Sequence, residues 1–325
     1  MQMNKKTTLK IILPLSLILL IALSAGCLEE YKNNNKRINI VATFYPLAYF
    51  AEEIGGVYVD VHQLTPDNTD LHNWQPTTAD IIKVNKADII IINGAGLDEW
   101  FKEDVLPSID TSDKLIVETT NGVKLLEIDH DEDNHEEEHN EHHHEHGLYD
   151  PHTWIDPYVA MHQAENIYKA LVYRNPEYAD YYTERWVNLK DRFISVNEAY
   201  NATLKVKKKD EVIVTHAAFG YLAHRYNFKQ YSIIGLTADE QPSVDTIRRL
   251  VDKMIEDNIT TIYVDYTYTS EYAQSLKNTI ESKTGFNIQI LKLYLMIGFL
   301  DDLDYFDQLL KNLDNLSVGL QTDEE

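Results

Sequence analysis

Residues 77–93 read TTADIIKVNKADIIIIN, and this stretch decides the fold class. Thr77 or Thr78 offers a hydroxyl to the free N–H groups that open a helix, which the pattern extends over 77–87. The text then becomes DIIIIN, residues 88–93, apolar without alternation. A strand of that kind is covered on both faces, as in a parallel sheet layered with helices.

The same alternation continues on both sides. Apolar, β-branched runs stand at 38–43 (INIVAT), 57–64 (VYVDVHQL) and 115–118 (LIVE), with a helix over 46–54 that Gly55-Gly56 stops. Helical text resumes at Pro157. From Pro176 to about Lys208, Tyr178, Tyr182, Trp186, Leu189, Phe193, Val196 and Tyr200 recur at spacings of three and four. That spacing marks one long amphipathic helix. At ~1.5 Å per residue it spans on the order of 45 Å, enough to join two lobes. A second series follows, with strands predicted at 211–215, 230–234, 261–265 and 287–293 and helices at 217–226, 243–257, 269–284 and 302–314. The expected fold class is α/β, with mainly parallel sheets in two lobes, 38–158 and 209–320. A helical region, 159–208, contains the linking helix. Ligand sites in such sheets lie beyond the carboxyl ends of the strands.

The ends and the charge narrow the function. Lys5, Lys6 and Lys10 precede an apolar run at 11–23, too short to span a bilayer comfortably. Leu23-Ser24-Ala25-Gly26-Cys27 resembles a lipobox, so 1–27 reads as a signal peptide with lipobox and Cys27 as the lipidated residue. An uncleaved signal anchor is the alternative. Residues 28–37, LEEYKNNNKR, form a polar tether. The expected location is extracytoplasmic, anchored by lipid to the outer face of the cytoplasmic membrane. Cys27 is the chain's one cysteine, so no disulfide forms within it. The 325 residues carry 29 Lys+Arg against 53 Asp+Glu, a formal charge of −24, which excludes nucleic acid and anionic lipid surfaces as partners.

Residues 129–146, DHDEDNHEEEHNEHHHEH, hold seven of the 13 histidines: His130, His135, His139, His142, His143, His144 and His146. Nine carboxylates accompany them, and no apolar side chain is present to build a core. Dense imidazole and carboxylate suit a borderline divalent ion such as zinc, here in a secondary, weaker site. His135–His139 matches the HExxH protease pattern and His142–His146 its inverse. A zincin helix needs apolar residues to hold its ligands rigid, and this run has none. No GxGxxG, Walker A or GxSxG pattern occurs, and no catalytic residue is assigned.

Three other histidines stand at strand–helix junctions, where a cleft is expected. His72 lies in the loop after the second strand, His152 in DPHTWIDP just before the helix at Pro157, and His216 at the end of a strand in VTHAAFGYLAHRYNF. His62, in a strand, and His162 and His224, on helices, have ordinary surface settings.

The blocks PDNTDLHNWQPTTADIIKVNKADIIIINGAGLDEWF, DPHTWIDP and VTHAAFGYLAHRYNF, in that order, resemble the signatures of the metal-binding components of zinc and manganese ABC importers, the cluster A-I substrate-binding proteins. The resemblance runs over nearly the whole mature chain, from TFYPL to YFDQLLKNLDNL. It implies two similar α/β lobes joined by one rigid helix, with the metal in the interlobe cleft. It also implies His72, His152 and His216 as ligands, Zn2+ rather than Mn2+ as cargo, a cognate ABC permease and its ATPase as partners, and a monomer. His216 resembles the zinc type, since manganese members usually carry Glu there, and the acidic His-rich insertion resembles zinc members too. One departure concerns a fourth ligand. The family often supplies an Asp after the last strand, where this chain reads Leu295-Met296-Ile297-Gly298. Asp301 and Asp302 are the nearest carboxylates, Met296 is a thioether better suited to copper(I), and water is the simplest substitute. Asp150, Asp156 or backbone carbonyls are candidates for orienting the rings. The alternatives are a manganese- or iron-binding homologue, an adhesion-type surface lipoprotein that carries zinc, and a metallohydrolase using an open zinc position.

Overall fold

The computed structural model describes residues 37–128, 148–235, 241–267 and 270–322. The readings placed on the leader, Cys27, the tether and the histidines of 129–146 lie outside these residues. No helix among the described residues is long and apolar enough to cross a membrane.

The first sheet contains β1 (Ile38–Ala42), β2 (Val59–Gln63), β3 (Ile89–Ile92) and β4 (Leu115–Glu118). All pairings are parallel, in the order β2-β1-β3-β4. All four β3 residues are buried, as the unbroken isoleucine run requires. Helices α1 (Tyr45–Gly55) and α2 (Thr78–Lys86) follow β1 and β2. Gly56 ends α1 at φ 51°, a left-handed conformation that favours glycine. Thr77, not Thr78, caps α2, in a reciprocal box with Asp80. Phe101–Val105 forms a π-helical turn.

The second sheet, β5 (Glu211–His216), β6 (Lys229–Ile234), β7 (Thr261–Val264) and β8 (Gln289–Lys292), repeats the first one's parallel order as β6-β5-β7-β8. Between the sheets run α3 (Pro157–Arg174) and α4 (Ala179–Leu204). α4 is one helix of 26 residues, entered through a 3-10 turn at Pro176–Tyr178, and its stripe of Tyr182, Trp186, Leu189, Phe193, Val196 and Tyr200 is buried. It contacts α1 of the first lobe. It also contacts α5 (Gly220–Tyr226) and α8 (Tyr305–Leu320) of the second.

Two helices differ from expectation by three residues or more at an end in ways the local bonding explains. α5 begins at Gly220 rather than 217, because Ala218 N–H turns back to the His216 carbonyl at 2.8 Å. α8 begins at Tyr305 rather than 302, since Asp304 caps it in a box with Asp307, and Asp301 and Asp302 lie at positive φ before it. It runs on to Leu320 because Leu316 and Leu320 continue its buried stripe. The remaining helices are α6 (Val244–Glu256) and α7 (Glu271–Thr284).

Candidate metal centre

The two sheets bring three junction histidines together. His72 comes from the loop between β2 and α2, His152 from the segment just before α3, and His216 from the last residue of β5. One ligand atom from each lies within 4.8 Å of the others. The ring centroids are 5.2 Å (His72–His152), 5.9 Å (His72–His216) and 4.9 Å (His152–His216) apart, with interplanar angles of 62°, 87° and 79°. Three steeply inclined rings converge edgewise on one point, which fits an ion rather than ring stacking.

The spacing can be tested. Two nitrogens bound to one tetrahedral zinc at ~2.0–2.1 Å lie ~3.3–3.4 Å apart. His72 Nε2 and His152 Nε2 lie 3.2 Å apart. The cavity is walled by Leu71, Trp154, Leu295 and Ile297, with Asp70 and Thr267 as its other polar groups. Apolar walls lower the local dielectric and strip water from an ion.

His152 has the most constrained setting. It is 2% exposed, and burial pushes its imidazole down to about 3, so the ring is held neutral, the form that binds metal. Its Nδ1 lies 2.8 Å from Asp150 Oδ1, and the same oxygen accepts the His152 backbone N–H at 2.9 Å. Nε2 is thereby left facing the site. Burial pushes the Asp150 carboxyl up to about 7, against the pull of the His152 N–H and of His72. A cation on His152 would reverse that by direct attraction.

Asp156, the other proposed orienter, does a different job. It caps α3 through Tyr158 N–H and Val159 N–H, and accepts from Arg225 Nε of α5 at 2.5 Å. The alternatives for a fourth ligand also lie elsewhere. Asp301 accepts from Tyr294 Oη at 2.8 Å and from Tyr266 Oη, and it is not among the residues that line the cavity. Met296 is buried with its Sδ 3.6 Å from Asn312 Nδ2. Among the described residues, no carboxylate joins the three-histidine group. His62 and His224 are exposed, and His162 lies beside Tyr158 and Glu165 on the surface. Leu295 and Ile297 drew notice in the sequence only as the stretch without a fourth ligand, and Thr267 drew none, because apolar and hydroxyl side chains carry no spacing signal.

Comparison with known proteins gives the chain a family. The family of the periplasmic zinc-uptake complex component A (ZnuA) matches residues 40–319. The high-affinity zinc uptake system protein ZnuA of Bacillus subtilis is 33% identical over 252 residues, covering 76% of this chain and 77% of the relative. The zinc-binding lipoprotein AdcA of Streptococcus pneumoniae is 29% identical over 273 residues, covering 84% of this chain; the chain spans only 53% of that relative's length. Among solved structures, the metal-dependent lipoprotein YcdH of B. subtilis superposes with a TM-score of 0.71 at 27% identity, over 87% of this chain and 99% of that one.

Proposed function

The chain belongs to the zinc-uptake complex component A family, and from that premise we propose that it captures zinc outside the cytoplasm and delivers it to an ABC permease driven by a partner ATPase. The observation that carries the proposal is the convergence of His72, His152 and His216 with ligand atoms within 4.8 Å. Zinc is the cargo here. A set of neutral imidazoles suits zinc and neighbouring borderline ions, whereas manganese sits at the bottom of the affinity series and prefers oxygen ligands. Thr267 offers a hydroxyl at the wall, the partner that a water in a fourth position needs. One chain supplies all three histidines, so the acting unit is a monomer. The seven histidines of 129–146 form a weaker accessory collector, and lipid on Cys27 holds the protein at the membrane. An intact mass of the membrane-bound protein that shows no diacylglyceryl group on Cys27 would refute that anchor.

The test of the tight site is single replacement of His72, His152 or His216 by Ala, with zinc affinity measured by competition against a chromophoric chelator. Each loss should exceed the ~10–100-fold that outer partners of a metal site are worth. Affinity within about twofold of wild type in any one variant would remove that residue from the ligand set.

A further inference from the structure

Two of the three histidines are fixed by what surrounds them, since His152 and His216 are each 2% exposed. His72 is half-buried and sits in the segment between Gln63 and Thr78, which has neither helix nor strand. Its backbone N–H is held by Asp70 Oδ1 at 3.0 Å, a bond within the same loop. A ligand on a loop without outside support would have to be ordered by the metal, at an entropic cost to affinity.

Its own lobe holds the two ends of this segment, through Leu64 and Thr65 N–H to the Ala42 and Thr43 carbonyls and Trp74 against Trp100, and the stretch at Asp67–Asn68 is held from the other lobe. After β8, residues 294–299 cross to the His72 loop. Asn68 N–H donates to the Ile297 carbonyl at 3.1 Å, and Phe299 N–H donates to Asp67 Oδ2 at 3.2 Å. Asp67 Oδ1 accepts from Gln63 Nε2 at 2.8 Å, which ties this contact back to the end of β2. Gly298 stands between the two crossing bonds. A Cβ placed there would lie 2.6 Å from Asp67 Cβ, 2.9 Å from its Cγ and 3.1 Å from the Asn68 nitrogen. Glycine is required by space: any side chain would force the two backbones apart.

The crossing segment is itself anchored. Gln308 Nε2, fully buried on α8, donates to the Gly298 carbonyl at 2.7 Å. Asn312 bonds both sides of Tyr294, at 2.7 and 2.8 Å. The segment also meets the second ligand's loop, where Trp154 Nε1 donates to the Leu295 carbonyl at 2.7 Å. Leu295 and Ile297, on either side of Met296, line the cavity itself.

We infer that Gly298 and Asp67 are positioning residues for zinc capture: the backbone at 297–299 closes on Asp67–Asn68 and holds the His72 imidazole against His152. The inference rests on the assignment of the three histidines as the zinc site. Neither residue touches the ion, and both act through His72.

Gly298→Ala should lower zinc affinity by ~10–100-fold and speed zinc dissociation into a chelator. Asp67→Ala should lower it by less, and Asp67→Asn, which keeps an acceptor oxygen, should restore it. The deciding measurement is a double-mutant cycle. In a His72→Ala background, Gly298→Ala or Asp67→Ala should change the residual affinity by less than about twofold. Equal losses in both backgrounds would mean general damage and would overturn the inference. So would unchanged affinity in both single variants while His72→Ala alone weakens binding, an outcome that leaves the zinc site standing. Unchanged affinity in His72→Ala itself would overturn the site assignment and this inference together. If Gly298→Ala does not fold, the exposed Asp67 carries the same cycle alone.

Discussion

Replacement of Asp150 separates the orientation of the proposed zinc ligand His152 from its presence. One oxygen, Asp150 Oδ1, accepts both His152 Nδ1–H at 2.8 Å and the His152 backbone N–H at 2.9 Å. The site is tight, because Gly220 packs so close that a Cβ there would lie 2.4 Å from Asp150 Oδ2. Asn keeps an oxygen able to accept both bonds and loses only the charge. A hydrogen bond to a charged group contributes ~1.5–3 kcal/mol and a neutral one ~0.5–1.5, so Asp150→Asn should cost about 1 kcal/mol, a factor of about 5–10 in zinc affinity. Asp150→Ala leaves a buried Nδ1–H without its acceptor and releases the ring to rotate. It should cost about 2–3 kcal/mol, or roughly 30–160-fold. The assay is chelator competition at fixed pH and ionic strength, with thermal unfolding of the zinc-free protein as a control. Equal losses for Asn and Ala, or losses within about twofold of wild type for both, would refute the idea that this carboxylate orients His152.

Two further outcomes are expected. Asp98 is 3% exposed, and burial pushes its carboxyl up to about 6, although Gly94 N–H donates to it at 2.8 Å. A folded pKa raised above the unfolded ~3.9 means the contribution to stability is complete below ~4 and is lost as pH rises through about 6. Denaturant unfolding of the zinc-free protein should show wild type gaining about 2–3 kcal/mol over Asp98→Asn between pH 7 and pH 4; a flat difference would count against it. Deleting 129–146 should remove extra zinc equivalents in equilibrium dialysis and leave one tight site, because the three junction histidines lie outside that run; loss of the tight equivalent would contradict that division.

The parts of the fold visible in the sequence were those written in local spacing. The α4 stripe could be read because Tyr182 to Tyr200 repeat every three or four residues, and all are buried along one face. The three histidines could be read because each sits where a strand or loop meets a helix, in a block of its own. What stayed hidden depends on contacts between distant segments. Gly298 is explained only by Asp67, 231 residues away in the chain and within 2.6 Å in space once a Cβ is drawn. The start of α8 was misplaced because Asp304 and Asp307 form its cap, while Asp301 and Asp302 beside them belong to a turn at positive φ. A run of similar carboxylates does not show which one caps.

The way the lobes are joined limits how zinc can enter and leave. Ile40 and Ile91 of the first sheet and Val212 and Val214 of the second belong to one continuous apolar cluster. Trp186 and Phe193 of α4 and Tyr305 and Phe306 of α8 are part of it as well. Wide opening of the lobes would wet that shared core at ~25 cal/mol per Å2, so every 100 Å2 exposed costs about 2.5 kcal/mol. Polar bonds also span the cleft, including Tyr221 Oη to the Asp150 carbonyl at 2.8 Å and Tyr305 Oη to the Trp154 carbonyl at 2.6 Å. A hinge that parted the lobes would break these while exposing apolar surface. Movement of the His72 loop breaks fewer bonds between the lobes, the two crossing bonds at Asp67 and Asn68, but a wide swing would also unpack Leu71 from the core and part Trp74 from Trp100. Release confined to residues 67–72, with Trp74 still packed on Trp100, is the smaller of the two motions, and the close contact at Gly298 opposes it.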